Sequence, residues 1–207
     1  MNEAQRPEPI FNPQAVSAWP VLMLVASFVA IQVWIDYAGV AEANRIAQTY
    51  GFYSGQFWAG LNLETLISYA FLHAGWLHLG MNGAACLGLG FVCWQFMGTA
   101  RFFLLFLVTA IAGAIAFAAV RPETGPLVGA SGAIFGLLAV VKRIEFQKLA
   151  RRGHGFIRPS LIFAAQMIAL NVVIGILTGG LMAWEAHLGG MAAGWLIAPY
   201  LIRRDAL

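Results

Sequence analysis

Phe102 to Val120 runs without a single ionisable side chain. About 20 apolar residues cross the hydrocarbon core of a bilayer, so a run of this length and purity reads as a membrane-crossing helix. Five further apolar runs bring the expected passes to six: residues 16–37, 76–95, 102–120, 131–142, 160–178 and 185–202. Charged residues make up only 10% of the 207, against roughly a quarter in soluble domains, so no water-facing surface of useful size can be built. The expected fold class is an all-α membrane protein, a six-transmembrane helix bundle. Residues 1–15 form a polar, proline-bearing segment in front of it, and 205–207 a short tail. The front segment lacks the charged, apolar, small-residue pattern of a cleaved signal peptide, so the first run is expected to stay as a helix.

Basic residues orient the bundle. With the N-terminus inside, the inner segments hold Arg6, Arg101, Lys142, Arg143, Lys148, Arg151, Arg152, Arg158, Arg203 and Arg204. The outer segments hold only Arg45 and Arg121. The positive-inside rule then sets both termini in the cytoplasm. The basic run from Lys142 to Arg158 suits anionic lipid headgroups at that position better than a nucleic acid.

The connections differ in kind. Ala38 to about Ser68 is too long for a simple link. Its scattered aromatics (Tyr50, Phe52, Tyr53, Phe57, Trp58) suggest a clamp lying in the membrane interface. The fourth span is short for a crossing, so the loop Arg121 to Leu127 is expected to dip into the membrane and supply the missing length. Gly179 and Gly180 mark a tight turn before the sixth span. Cys86 and Cys93 lie on one helix about 10 Å apart in rise, too far for a disulfide; both read as small buried hydrophobes.

In this orientation spans two, four and six begin on the outer side, and the polar groups of the bundle gather there. Span four opens on Gly129-Ala130-Ser131-Gly132-Ala133-Ile134-Phe135-Gly136. Glycines on both sides expose the Ser131 hydroxyl, and the free N–H groups of a first helical turn can stabilise an oxyanion. The same stretch contains Gly132-x-x-x-Gly136, a close-packing motif of membrane helices. Span six carries His187 ahead of a second such motif, Gly190-x-x-x-Gly194. A serine hydroxyl becomes a nucleophile when a histidine within hydrogen-bond reach takes its proton. Two smooth glycine faces would let spans four and six touch, with Ser131 and His187 near the mouth of the seam. His187 alone could also be an interfacial histidine bound to the backbone. On span two, His78 and Asn82 stand i, i+4 and face one way. They read either as donors to an oxyanion together with the Ser131 N–H, or as an interhelical hydrogen bond between spans two and four.

Other chemistries lack their parts. Asp36 and Asp205 are the only aspartates, too few and too far out for an intramembrane aspartyl pair. No His-Glu-x-x-His occurs, and His73 and His78 lack a third metal ligand at suitable spacing. No acidic residue stands plainly behind His187, so a dyad is expected rather than a triad. Asn171 and Gln166 in span five read as packing polar groups. A transporter or channel would want an internal repeat or mid-membrane charge, and neither is found. No cofactor or metal is implied.

Three stretches, in order and on alternate helices, resemble the rhomboid family of intramembrane serine proteases. They are Phe71-Leu72-His73-Ala74-Gly75-Trp76-Leu77-His78-Leu79-Gly80-Met81-Asn82, then Gly129-Ala130-Ser131-Gly132, then Ala186-His187 with Gly190 and Gly194. The resemblance covers about Thr65 to Pro199. It implies a bundle of rhomboid type with Ser131 as nucleophile and His187 as general base. His78, Asn82 and the Ser131 N–H would be the oxyanion donors, and the long first loop the family's interfacial element. The implied substrates are single-pass membrane proteins, cut in or near the bilayer where helix-breaking residues loosen the backbone. Two features depart from the family. The Trp-Arg pair of many first loops is absent, and Phe135 stands where many members stack a phenol on the histidine.

The resulting expectation is a serine endopeptidase of the membrane, with a polar cavity that admits water to Ser131 from the outer side. A bacterial plasma membrane fits a chain with no appended domain. The alternative is a catalytically silent relative that binds membrane proteins or serves quality control.

Overall fold

The computed structural model describes residues 18–122, 125–153, 155, 157–177 and 182–203. The N-terminal segment 1–15, His154, the Gly179-Gly180 turn, Arg204 and the 205–207 tail lie outside them. The described residues are helical. Their one β-type pairing is an isolated bridge between Phe52 and Leu127.

In chain order the helices are α1 Trp19–Ala38, α2 Val40–Tyr50, α3 Ser54–Trp58, α4 Thr65–Ser68, α5 Trp76–Met97, α6 Thr99–Val120, α7 Ser131–Arg151, α8 Ile157–Leu177 and α9 Trp184–Leu201. A 3-10 turn, Tyr69–Phe71, extends α4. Pro20 sits in the first turn of α1, where its missing N–H costs nothing. Lys148 and Arg151 occupy the last turn of α7, where cations favour the helix dipole.

Four of these helices, α1, α5, α6 and α8, are long and apolar enough to cross a membrane. Helix α7 reaches the same length by another route. Gly132 to Leu137 are buried without interruption, which is the mark of a helix surrounded by protein on every side. It packs on α5, α6 and α9, while α1 leans on α5. A helix shielded in this way can carry Lys142, Arg143 and Glu145 in its C-terminal half.

That half corrects the expectation of a fourth helix ending near residue 142. The helix continues through the basic run to Arg151 and is 21 residues long. Lys142 pairs with Glu145 one turn on, at 2.7 Å, and its ammonium also lies over the Phe163 ring. The loop before α7 nevertheless enters the protein: Leu127 and Ala130 are both buried.

The long first connection resolves into α2, α3, α4 and the 3-10 turn. It is fastened without a Trp-Arg pair. Phe52 and Leu127 exchange backbone hydrogen bonds of 3.1 and 2.8 Å, and the Trp58 indole N–H donates to the Ala118 carbonyl at 3.2 Å. Asp36, at the end of α1, accepts from the Trp76 indole at 2.6 Å and from the Gln32 amide at 2.9 Å. This ties the end of α1 to the start of α5. Cys86 and Cys93 are free, buried thiols.

Candidate active site

Ser131 is the first residue of α7. Its backbone N–H therefore lies in the turn that has no intrahelical acceptor. Gly129 sets the approach to it. The Gly129 backbone has φ +114°, a value side-chain-bearing residues rarely adopt. The space a Cβ would need is filled by the His78 ring, whose Cε1 and Nε2 would lie 2.6 and 2.8 Å from that carbon. The Gly129 N–H donates to the Tyr69 carbonyl at 2.9 Å. The Tyr69 hydroxyl in turn donates to the Ala110 carbonyl at 2.8 Å. A buried aromatic thus pins the loop to α6 directly before the serine.

Two glycine contacts bring α9 against α7. A methyl group on Gly190 would overlap the Gly132 carbonyl, with the carbonyl carbon only 2.7 Å away. One on Gly194 would overlap the Gly136 carbonyl and lie 2.8 Å from the Gly136 Cα. With backbones this close, the N-terminal ends of the two helices hold Ser131 Oγ 2.9 Å from His187 Nε2. Phe135 lies flat on the imidazole, with ring centroids 4.1 Å apart and planes 6° from parallel. His187 is buried, and Ser131 keeps partial exposure.

From α5, the His78 ring lies against Gly129, two residues before Ser131, and Asn82 stands one turn further along the helix. The Ala74 N–H donates to His78 Nδ1 at 3.3 Å. The neutral ring then carries its proton on Nε2, the nitrogen that faces Gly129. Asn82 is buried and donates one amide N–H to the His78 carbonyl at 2.9 Å, which leaves its second N–H for another acceptor. His73, in the loop before α5, packs against both Phe28 and His78. Burial first, and the neighbouring His78 second, bring its pKa down to about 4, so the ring is neutral at pH 7.

His187 has a second side-chain neighbour besides Ser131, Asn171 of α8. Asn171 Oδ1 lies 2.9 Å from His187 Nδ1. The available signal was an asparagine in the middle of an apolar run. What the run does not reveal is which way that side of α8 turns. Asp36 and Glu185 are both engaged with other partners. Asp36 holds Trp76, and Glu185 pairs with Arg121 at 2.6 Å. Arg121 also donates to the Met182 carbonyl at 3.3 Å, so this ion pair clasps the loop before α7 to the start of α9.

Chemically, a hydroxyl faces an imidazole nitrogen across one hydrogen bond, beside N–H groups without helix partners. Such a set can remove a proton from oxygen and receive negative charge nearby. Among the described residues no three His, Cys, Asp or Glu side chains converge to hold a metal ion. An apolar groove lined by Met23, Ser27, Ile67, Phe71, Phe103 and Phe106 opens elsewhere, between α1, the 3-10 turn and α6.

The chain matches the Rhomboid domain over residues 54–204. It is 32% identical to RHOMBOID-like protein 4 of Arabidopsis thaliana over 139 residues, which is 67% of this chain and 34% of that protein. It is 30% identical to the rhomboid protease GluP of Bacillus subtilis over 163 residues, covering 79% of this chain and 28% of that one. It also aligns with the putative rhomboid protease YdcA of Bacillus subtilis at 26% identity, over 91% of this chain and 92% of the relative. The chain thus spans about a third of the plant relative's length and most of the length of YdcA.

Proposed function

The chain belongs to the rhomboid family, and on that footing we propose that it is an intramembrane serine endopeptidase acting through Ser131 and His187. Six crossings with both termini in the cytoplasm complete the reading. The observation that carries it is the 2.9 Å contact between Ser131 Oγ and His187 Nε2 at the outer end of the glycine seam.

The chemistry follows from the geometry. His187 Nε2 takes the hydroxyl proton as Ser131 Oγ attacks the scissile carbonyl carbon. The carbonyl oxygen becomes an oxyanion, met by the Ser131 N–H, the His78 Nε2–H and the free Asn82 N–H. The imidazolium then hands its proton to the departing amine, and the acyl group stays on Ser131. Water, activated by the same imidazole, attacks the acyl carbon and restores the serine. The reaction needs no cofactor. The substrates, as the rhomboid family implies, are single-pass transmembrane proteins. A peptide bond already in a regular helix hides its carbonyl, so cleavage is expected where helix-breaking residues loosen the substrate.

A serine-directed fluorophosphonate tests the proposal directly. The expected result is covalent labelling that peptide mapping assigns to Ser131. No labelling of a folded, membrane-inserted protein would favour a catalytically silent relative, which binds its partners without cutting them.

Asn82 has a separate test. Removing one preorganised oxyanion donor costs about 2–4 kcal/mol of transition-state stabilisation. Asn82→Ala is therefore expected to lower kcat by roughly 10²- to 10³-fold, with KM little changed. Wild-type turnover in that variant would remove Asn82 from the oxyanion site.

A further inference from the structure

We propose that Asn171 is a positioning residue that holds the His187 ring with its proton on Nδ1 and its lone pair on Nε2, aimed at Ser131. This rests on the reading of Ser131 and His187 as the reacting pair.

The argument begins with α8. None of its residues from 157 to 176 is fully buried. The half-buried ones include Ser160, Phe163, Met167, Asn171 and Ile174, spaced three or four apart along one stripe. That stripe is the face α8 turns to the rest of the protein: Phe163 meets Phe146 of α7 edge-on. Asn171 is the polar group at mid-stripe, where an unpaired amide would be costly.

The hydrogen bonds of Asn171 are directional. Its Nδ2 donates to the Met167 carbonyl one turn back, at 2.7 Å. That bond fixes which end of the amide is which and points Oδ1 away from its own helix. Oδ1 lies 2.9 Å from His187 Nδ1. An amide oxygen only accepts, so Nδ1 must carry the proton. In a neutral imidazole the other nitrogen is then bare, and it lies 2.9 Å from Ser131 Oγ. Phe135 fixes the plane of the ring by stacking. Asn171 fixes rotation within that plane and selects the tautomer.

The same contact favours the reaction. When Nε2 takes the serine proton the ring becomes a cation, and the Nδ1–H bond to Oδ1 becomes charge-assisted and stronger. The gain appears only as the transition state forms, so it lowers the barrier without tightening substrate binding.

The experiment compares Asn171→Leu and Asn171→Asp with the wild type on a single-pass transmembrane reporter in detergent. Thermal unfolding and the ¹⁵N spectrum of the histidine rings are recorded alongside. Asn171→Leu removes the acceptor. It is expected to lower kcat about 10- to 100-fold, a part of the roughly 10²- to 10⁴-fold a placed general base supplies, with KM within about twofold. The Nε2–H form of His187 should then appear in the spectrum. Asn171→Asp restores an acceptor oxygen and should recover most of kcat along with the Nδ1–H form. Unchanged kcat in Asn171→Leu overturns the inference, and so does a loss that Asn171→Asp fails to rescue, since that marks a mere tether for α8. Should Asn171→Leu fold poorly, the wild-type spectrum decides alone: a His187 proton on Nε2 refutes the assignment. If wild type and Ser131→Ala cut the reporter equally, the protease reading fails instead, and the tautomer still reports on Asn171.

Discussion

Ser131→Ala is expected to abolish cleavage of a transmembrane reporter while leaving the fold intact. The alanine keeps the Cβ and the helix start. It removes only an oxygen that is partly exposed and bonded to one imidazole nitrogen. Stability should therefore change little, whereas the reaction loses the atom that forms the acyl bond. In serine proteases the removal of such a group costs about 10⁴- to 10⁶-fold in kcat. His187→Ala should fall in the same range, and the double variant should be hardly worse than either, because the two side chains act as a unit. Measuring reporter turnover with thermal unfolding in detergent separates the two effects. Full activity in Ser131→Ala would sink the assignment of the nucleophile.

The second large effect lies in the seam beneath that pair. Gly190→Val places branched carbons where the Gly132 carbonyl already stands. Neither backbone can yield without moving a helix, because Gly194 is in equally close contact with Gly136 one turn deeper. Overpacking of a core typically costs 1–3 kcal/mol, and a branched side chain driven into backbone should exceed about 3 kcal/mol. That is a large part of a stability of roughly 5–15 kcal/mol. The expected outcome is a protein that unfolds at markedly lower temperature and does not cleave, even with Ser131 and His187 both present. Gly88→Ala is the control. It sits on α5 with nothing within 4 Å of an added Cβ, so the methyl group meets open space. There the change should be neutral or gain about 0.5–1 kcal/mol through lower unfolded-chain entropy. Equal melting points for wild type and Gly190→Val would mean that α7 and α9 do not pack through these glycines.

Much of this protein was open to reading before any coordinates. Runs such as Phe102 to Val120 leave a chain no choice but a helix in a bilayer, since backbone polar groups must be satisfied within the segment. The family was equally legible. The His73 to Asn82, Gly129 to Gly132 and Ala186 to Gly194 stretches carry chemistry-bearing residues in a fixed order, and the domain match covers residues 54–204. The length of α7 was not legible. Its basic residues argued for an end near 142, but Ile144 and Phe146 are buried as well and the helix runs as far as Arg151. The fastening of the first loop was hidden too, because a two-residue backbone bridge such as Phe52 with Leu127 leaves no mark on side-chain pattern.

The amino-acid order alone determined membrane character, helical class, family and the residues worth suspecting. Tertiary structure decided which of them meet, and Asn171 is the clearest case. In a water-soluble helix the apolar stripe announces the inward face, so a polar residue can be assigned inside or outside from spacing. In a bilayer, lipid and protein interior are equally apolar, and α8 has apolar residues on every side. Nothing local marks the side on which Asn171 stands. Only the placement of α8, whose Phe163 meets Phe146 of α7, turns its amide oxygen toward the His187 ring.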